Sequence, residues 1–104
     1  MPVSTLTVTG TWVNDDGTPA SGRVEFKPNA FRFVNSGNIV AATSYTFPLD
    51  AQGTLNGNAG VGLVRNQSTG AAGGYTVTEF IEGIASYTYQ LPDAAGPVDL
   101  SNFS

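Results

Sequence analysis

The sequence predicts an all-β protein, an antiparallel β-sandwich of about seven strands with an immunoglobulin-like build. Three observations lead there. Short runs rich in threonine, valine and aromatic residues alternate apolar and polar side chains with period two, as half-buried strands do. Turn-forming residues recur about every ten positions between those runs. No window of about eleven residues carries apolar positions at the helical period without a glycine or proline interrupting it.

The elements follow in chain order. Leu6, Val8 and Trp12 share one face of a first strand, with Gly10 between them, and Thr5, Thr7, Thr9 and Thr11 take the other. Asn14-Asp15-Asp16-Gly17-Thr18-Pro19 supplies a turn: Asp or Asn bonds its own backbone, Gly17 accepts positive φ, and Pro19 fixes the return path. Val24 and Phe26 alternate with Arg23, Glu25 and Lys27 in a second strand. Tyr45, Phe47 and Leu49 alternate with Ser44 and Thr46, and Pro48, unable to donate to a ladder, places this strand at an edge or a bulge. Tyr75, Val77, Glu79 and Ile81 oppose Thr76, Thr78 and Phe80. A hairpin around Glu82 and Gly83 then leads to Tyr87, Tyr89 and Leu91, opposed by Ser86, Thr88 and Gln90. A short strand from Val98 to Leu100 closes the set, and weaker strand signals lie at Phe31 to Val34, Ile39 to Ala42 and Val61 to Val64. Residues 1–104 read as one domain without internal repeats.

Composition narrows the function. A chain of 104 residues hides roughly 65% of its unfolded surface on folding and can stand without a covalent staple. It has no cysteine, so disulfides and thiolate metal sites are excluded, and no histidine, which removes the commonest general base and metal ligand. Four basic residues against eight acidic ones give a net charge of −4, too few cations to neutralise a run of phosphates or to grip an anionic membrane. Apolar runs fall far short of the roughly 20 residues that span a bilayer. The N-terminal MPVSTLTVTG lacks the basic and long apolar regions of a secretory signal, which sets the expectation of a product made in a cytoplasm. Charged residues make up 12%, about half the usual share, and small neutral polar residues replace them, as on proteins that work packed against neighbours.

Catalytic and metal chemistry find little support. Placing Gly17 as the sixth residue of a calcium loop would put Trp12 first and Arg23 twelfth, and neither ligates calcium. The eight acids sit mostly in turns or on wet strand faces. Glu79 alone shares a face with apolar neighbours, and if buried it needs a partner such as Arg65 or Arg32. Serines have no histidine to activate them, and the glycines of 70–74 have neither a following lysine nor a helix for a phosphate. The sequons at Asn66-Gln67-Ser68 and Asn102-Phe103-Ser104 matter only to a secreted eukaryotic protein. No catalytic residue, cofactor or metal site is therefore expected.

Aromatic residues remain. Trp12, Phe26, Phe47, Tyr75, Tyr87 and Tyr89 are expected to fill the core. Phe31 and Phe33 follow Pro28-Asn29-Ala30 in a segment of weak strand signal; if exposed, they form an apolar patch of the kind that marks interfaces. Together with Asn66, Ser68 and Thr69 of the glycine-rich 66–74 loop, they form the expected docking surface.

The two ends of the chain carry a family pattern. LTVTGTWVNDDGTPASGRVEFKP, followed by YTVTEFIEGIASYTYQLPDAAGPVDLSNF, resembles small β-sandwich virion domains of tailed phages that infect actinobacteria. The matching positions are Gly17 to Ala20, Val24 to Pro28, Tyr75 to Glu79, Tyr87 to Leu91 and Val98 to Leu100, while the middle from Asn29 to Gly74 does not match. The first turn is also similar to that of transthyretin-like and carboxypeptidase-regulatory sandwiches. The resemblance implies a non-enzymatic minor tail protein or tail-fibre N-terminal module, bound to other virion proteins in a symmetric assembly and not to nucleic acid or membrane. Fibre-anchoring members continue past the V-D-L segment, so a sequence ending at Ser104 sets the expectation of an accessory on a larger assembly. A capsid decoration protein is the alternative within that class. From another class comes a carbohydrate-binding or adhesion module, which would present coplanar aromatic rings at its surface.

Overall fold

The computed structural model describes residues 4–30, 32–57, 59–67, 74–94 and 96–103. Among the described residues nine strands form in chain order: β1 (Thr5–Thr9), β2 (Gly22–Pro28), β3 (Arg32–Asn35), β4 (Asn38–Ala41), β5 (Tyr45–Pro48), β6 (Val61–Val64), β7 (Tyr75–Ile81), β8 (Tyr87–Leu91) and β9 (Val98–Asp99). A 3-10 turn, Leu100–Asn102, follows β9. The protein is all-β, with its sheets packed together. One sheet has the order β6-β1-β9, a second β5-β2-β7-β8, and β3 and β4 form a separate two-stranded ribbon.

Alternation decides which faces meet. Leu6 and Val8 of β1 and Leu63 of β6 turn inward from the three-stranded sheet. They meet Val24 and Phe26 of β2, Tyr75 and Val77 of β7, and Tyr89 and Leu91 of β8. These side chains are lost to water almost completely, and their burial is the main term favouring the fold. Leu55, delivered by the loop between β5 and β6, and Leu100 of the 3-10 turn complete the core. As Pro48 requires, β5 is an edge strand, paired to β2 on one side with Pro48 opposite Arg23. The hairpin at Glu82–Gly83 joins β7 to β8 in the register Tyr75↔Leu91 to Glu79↔Tyr87, and Gly83 has φ of 91°.

Two expectations need correction. The first strand ends at Thr9 rather than running to Trp12, because the chain turns and the indole folds back over Gly10. A Cβ on Gly10 would lie 2.6 Å from the indole Cη2, so only glycine leaves room for the ring. Second, the sandwich is not wholly antiparallel: β9 runs parallel to β1, pairing Val8 with Val98 and Thr9 with Asp99. The expected count of about seven strands is loosely matched: nine form among the described residues, the three segments of weaker signal included.

The β3–β4 ribbon is tied to the sandwich by one buried amide. Asn35 donates from Nδ2 to the carbonyls of Ser4 (2.8 Å) and Arg65 (2.9 Å), and its Oδ1 accepts from Ser4 N–H (2.7 Å). The side chain thus bridges the residue before β1 and the residue after β6, capping the ladder where those two strands end. Gln67 adds two links, accepting from Ser36 N–H through its side chain and donating its own N–H to Val34 C=O. Replacing Asn35 with alanine is expected to lower the unfolding free energy by about 2–4 kcal/mol, because buried backbone groups lose their partners. Asn35→Asp should be at least as damaging, since a carboxylate oxygen then faces two carbonyls. Urea denaturation at neutral pH measures both, and an effect within experimental error would refute the anchoring role.

Candidate functional site

Of the expected docking residues, Phe31, Ser68 and Thr69 lie outside the described residues. Phe33 and Asn66 are described, and both are buried, at 2% and 1% exposure. Neither of these two offers a surface, so the expectation of exposure is corrected for Phe33 and Asn66. The reason is parity along β3. Phe33 and Asn35 point inward, so the outward positions belong to Arg32 and Val34. Across the ribbon, Val34 pairs with Ile39 of β4, and these two apolar side chains are 44% and 67% exposed. Asn66 instead works internally, donating from Nδ2 to Gly74 C=O (3.1 Å). Exposed apolar side chains on this ribbon, Val34 and Ile39, thus lie on the face opposite Phe33.

The acidic residues act as organisers of loops. In the Asn14–Pro19 stretch, Asp16 Oδ1 accepts from both Thr18 N–H (3.0 Å) and Thr18 Oγ1 (2.6 Å), while Asn14 closes the turn against Gly17 and Thr18. Those bonds to Thr18 hold the Asp16 carboxyl below its ordinary range. Asp50 does the same on a larger scale. Its two oxygens accept from Thr54 Oγ1 (2.6 Å) and from the N–H groups of Gln52, Thr54 and Gly57 (2.8–3.0 Å). The loop so wound presents Gly53 C=O to Trp12 N–H and carries Leu55 into the core. A Cβ at Gly53, where φ is 75°, would sit 2.3 Å from Trp12 C=O, so the contact requires glycine. Among the described residues no group of three or more carboxylates, histidines or cysteines gathers around a point that could hold a metal. None of their helices is long and apolar enough to cross a membrane.

Glu79 has a different partner from the arginines expected. Arg65 makes a two-pronged bond to Asp93, Nε to Oδ1 at 3.1 Å and Nη2 to Oδ2 at 2.9 Å, linking the segments that follow β6 and β8. Arg32 is exposed on the outer side of the ribbon. Glu79 Oε2 instead accepts from the Tyr89 hydroxyl at 2.6 Å. Burial, and then this bond to Glu79, push the Tyr89 phenol far above its ordinary value, so it remains a donor.

Of the aromatics expected in the core, Phe26, Tyr75 and Tyr89 are buried, and Trp12 and Phe47 are partly buried against the same cluster. Tyr87 departs from the expectation with 46% exposure: it is the first residue of β8, opposite Glu79 at the turn end of the β7–β8 pair. Tyr45 and Phe47 are nearly coplanar (7°, centroids 6.1 Å apart), but they lie on the inward face of β5 beside Phe26, covering the core edge rather than forming a platform. Trp12, Tyr87, Phe103 and Glu79 line a cleft of about 260 Å³, floored in part by Gly10 and Leu100. A second cleft of about 380 Å³ lies between Val13 and Ile84, beside the β7–β8 turn.

No family model, curated protein or solved structure matches this chain.

The Asp50 loop yields a pH prediction. Its carboxyl is lowered from 3.8 to about 2, first by the Thr54 hydroxyl and then by the Thr54 and Gly57 N–H groups. The folded state therefore prefers the carboxylate, and the resulting stability is complete above the ordinary value and disappears as pH falls through about 2. Asp50→Asn should be less stable than the parent at pH 6, and the gap should close as acid is added. A gap independent of pH would mean that the carboxylate charge is not what orders the loop.

Proposed function

We propose that this protein is a non-enzymatic structural component of a tailed-bacteriophage virion, a minor tail protein made in the host cytoplasm and docked onto neighbouring virion proteins. The observation that carries the docking is the Val34–Ile39 pair on the outer face of the β3–β4 ribbon. An isoleucine two-thirds exposed beside a half-exposed valine, on a surface poor in charge, is the apolar core of a contact patch. Ile84 and Val13, 69% and 59% exposed, add apolar surface at the β7–β8 turn. The assignment to a virion draws its support from the terminal motifs. The use of carboxylates as loop organisers agrees with a protein that has no reaction to perform.

The ribbon suits attachment for a mechanical reason as well. Its inner face is anchored by Phe33 and Asn35, so the outer face is presented by a backbone already held in place, and little ordering entropy is lost on contact.

Quantitative mass spectrometry of purified virions tests the assignment. A few to a few tens of copies per particle are expected for a tail component. Hundreds would move the protein to the head shell or the length of the tail as a decoration protein, and absence would overturn the virion reading. Ile39→Asp is expected to abolish incorporation while the isolated domain still unfolds cooperatively within about 1 kcal/mol of the parent, since an outward side chain takes no part in the core. Normal incorporation of the variant would remove the ribbon from the interface.

A further inference from the structure

We infer that the cleft between Trp12, Tyr87 and Phe103 is a receptor for a guanidinium group, the arginine side chain of a docking partner. The inference deepens the proposed function and rests on its view that this chain docks on other proteins. The cleft lies at one end of the sandwich, where β7 and β8 run past the 3-10 turn after β9. Its lining combines three aromatic side chains with one carboxylate, Glu79, and among the described residues contains no lysine or arginine.

Glu79 is the chemical centre. It stands on the inward face of β7, on the same side as Val77 and Ile81, yet is only half-buried because it opens into the cleft. One oxygen is engaged by the Tyr89 hydroxyl, which fixes the carboxylate's direction. Arg65, the one cation in an ion pair among the described residues, is held by Asp93. Arg23 lies over the outer face of Phe80, with its guanidinium carbon 4.3 Å from the ring centroid, and is therefore on the opposite side of the sheet. Glu79 thus carries a negative charge that no cation of the described chain balances, in a chain whose net charge is already −4.

Aromatic faces beside a carboxylate attract a cation through both the ring quadrupole and the full charge. Among organic cations, guanidinium fits best. It is planar, weakly hydrated and stacks on rings, whereas an ammonium holds its water more tightly. A two-pronged bond to a carboxylate is also open to guanidinium, as Arg65 and Asp93 demonstrate elsewhere in this protein. The volume of about 260 Å³ is slightly below the usual range for small-molecule clefts and suits one side-chain head better than an extended ligand. A neutral sugar ring is the competing occupant: it would use the aromatic faces but would gain little from the charge of Glu79.

Titration of the isotopically labelled protein with ethylguanidinium chloride, followed by amide chemical shifts at constant ionic strength and below about 50 mM to stay clear of denaturation, decides the matter. Saturable shifts confined to residues around Trp12, Glu79, Tyr87 and Ser101 are expected, with ethylammonium and methyl glucoside binding several-fold more weakly. Glu79→Gln, which still accepts the Tyr89 hydrogen bond, should weaken ethylguanidinium by about 5- to 10-fold. Tyr87→Leu, at an exposed position, should weaken it similarly while leaving the melting transition in place. Absence of saturation, equal binding of methyl glucoside, or an affinity untouched by Glu79→Gln would each overturn the assignment. Because this experiment uses the isolated protein, its failure leaves the particle copy number to decide the virion reading separately.

Discussion

The structure hangs on a hydrogen-bonding constraint at the place where β1 and β6 run out. Two strands that end together leave backbone donors and acceptors that water cannot easily reach, and each must find a partner. Asn35 provides them: its amide has the donor pair and the acceptor that Arg65 C=O, Ser4 C=O and Ser4 N–H require. A hydrocarbon of the same volume would fill the space but satisfy none of them. Because Asn35 belongs to β3, satisfying the sheet also fixes the ribbon, and the ribbon in turn determines which side chains face outward. Packing, topology and the proposed docking face therefore share one cause.

Much of this was legible in the residue order, and the failures have physical reasons. Period-two alternation located the strands that build the two sheets, and Pro48 pointed to an edge or a bulge, of which β5 is the edge. The same alternation locates a face without saying which way it points. At Phe33–Val34 the larger aromatic went inward, and the pair left outside was Val34 with Ile39, a partner five residues away whose pairing depends on the ribbon's turn. Asn35 gave no signal, because a buried asparagine reads like any loop asparagine until the strand ends it serves are known. Leu55 was hidden in the same way, inside a glycine- and asparagine-rich stretch that would otherwise pass for a plain loop. Asp50 had a faint local sign, an aspartate followed by Gly53 and Thr54, which echoes Asp16-Gly17-Thr18. The cleft around Glu79 joins residues from three distant parts of the chain, and only the fold brings them together.

Carboxylates in this protein are spent on architecture. Asp16 and Asp50 gather N–H and hydroxyl donors from their own loops, Asp99 caps the 3-10 turn through Ser101 N–H, and Asp93 holds Arg65. A chain without cysteine has no covalent means of fixing its loops, and ionised acceptors do that work locally. Glu79 differs from these four because its hydrogen bond runs to a side chain of the core, Tyr89, while its other side opens to solvent in an aromatic cleft.

The ribbon also bears on how such a protein can change over generations. One face of β3 carries the anchor and the other the contact residues, and they are interleaved one by one along the same strand. On the proposed docking, substitution at Val34 of β3 or at its β4 partner Ile39 would change the contact surface without touching Phe33 or Asn35. Adding or removing a single residue before Asn35 has another effect: it exchanges the two faces, burying the contact residues and exposing the anchor. Lineages built on this plan are free to vary the letters on the outer face, but the spacing between them is not free, and new specificities should arise by replacement rather than by insertion.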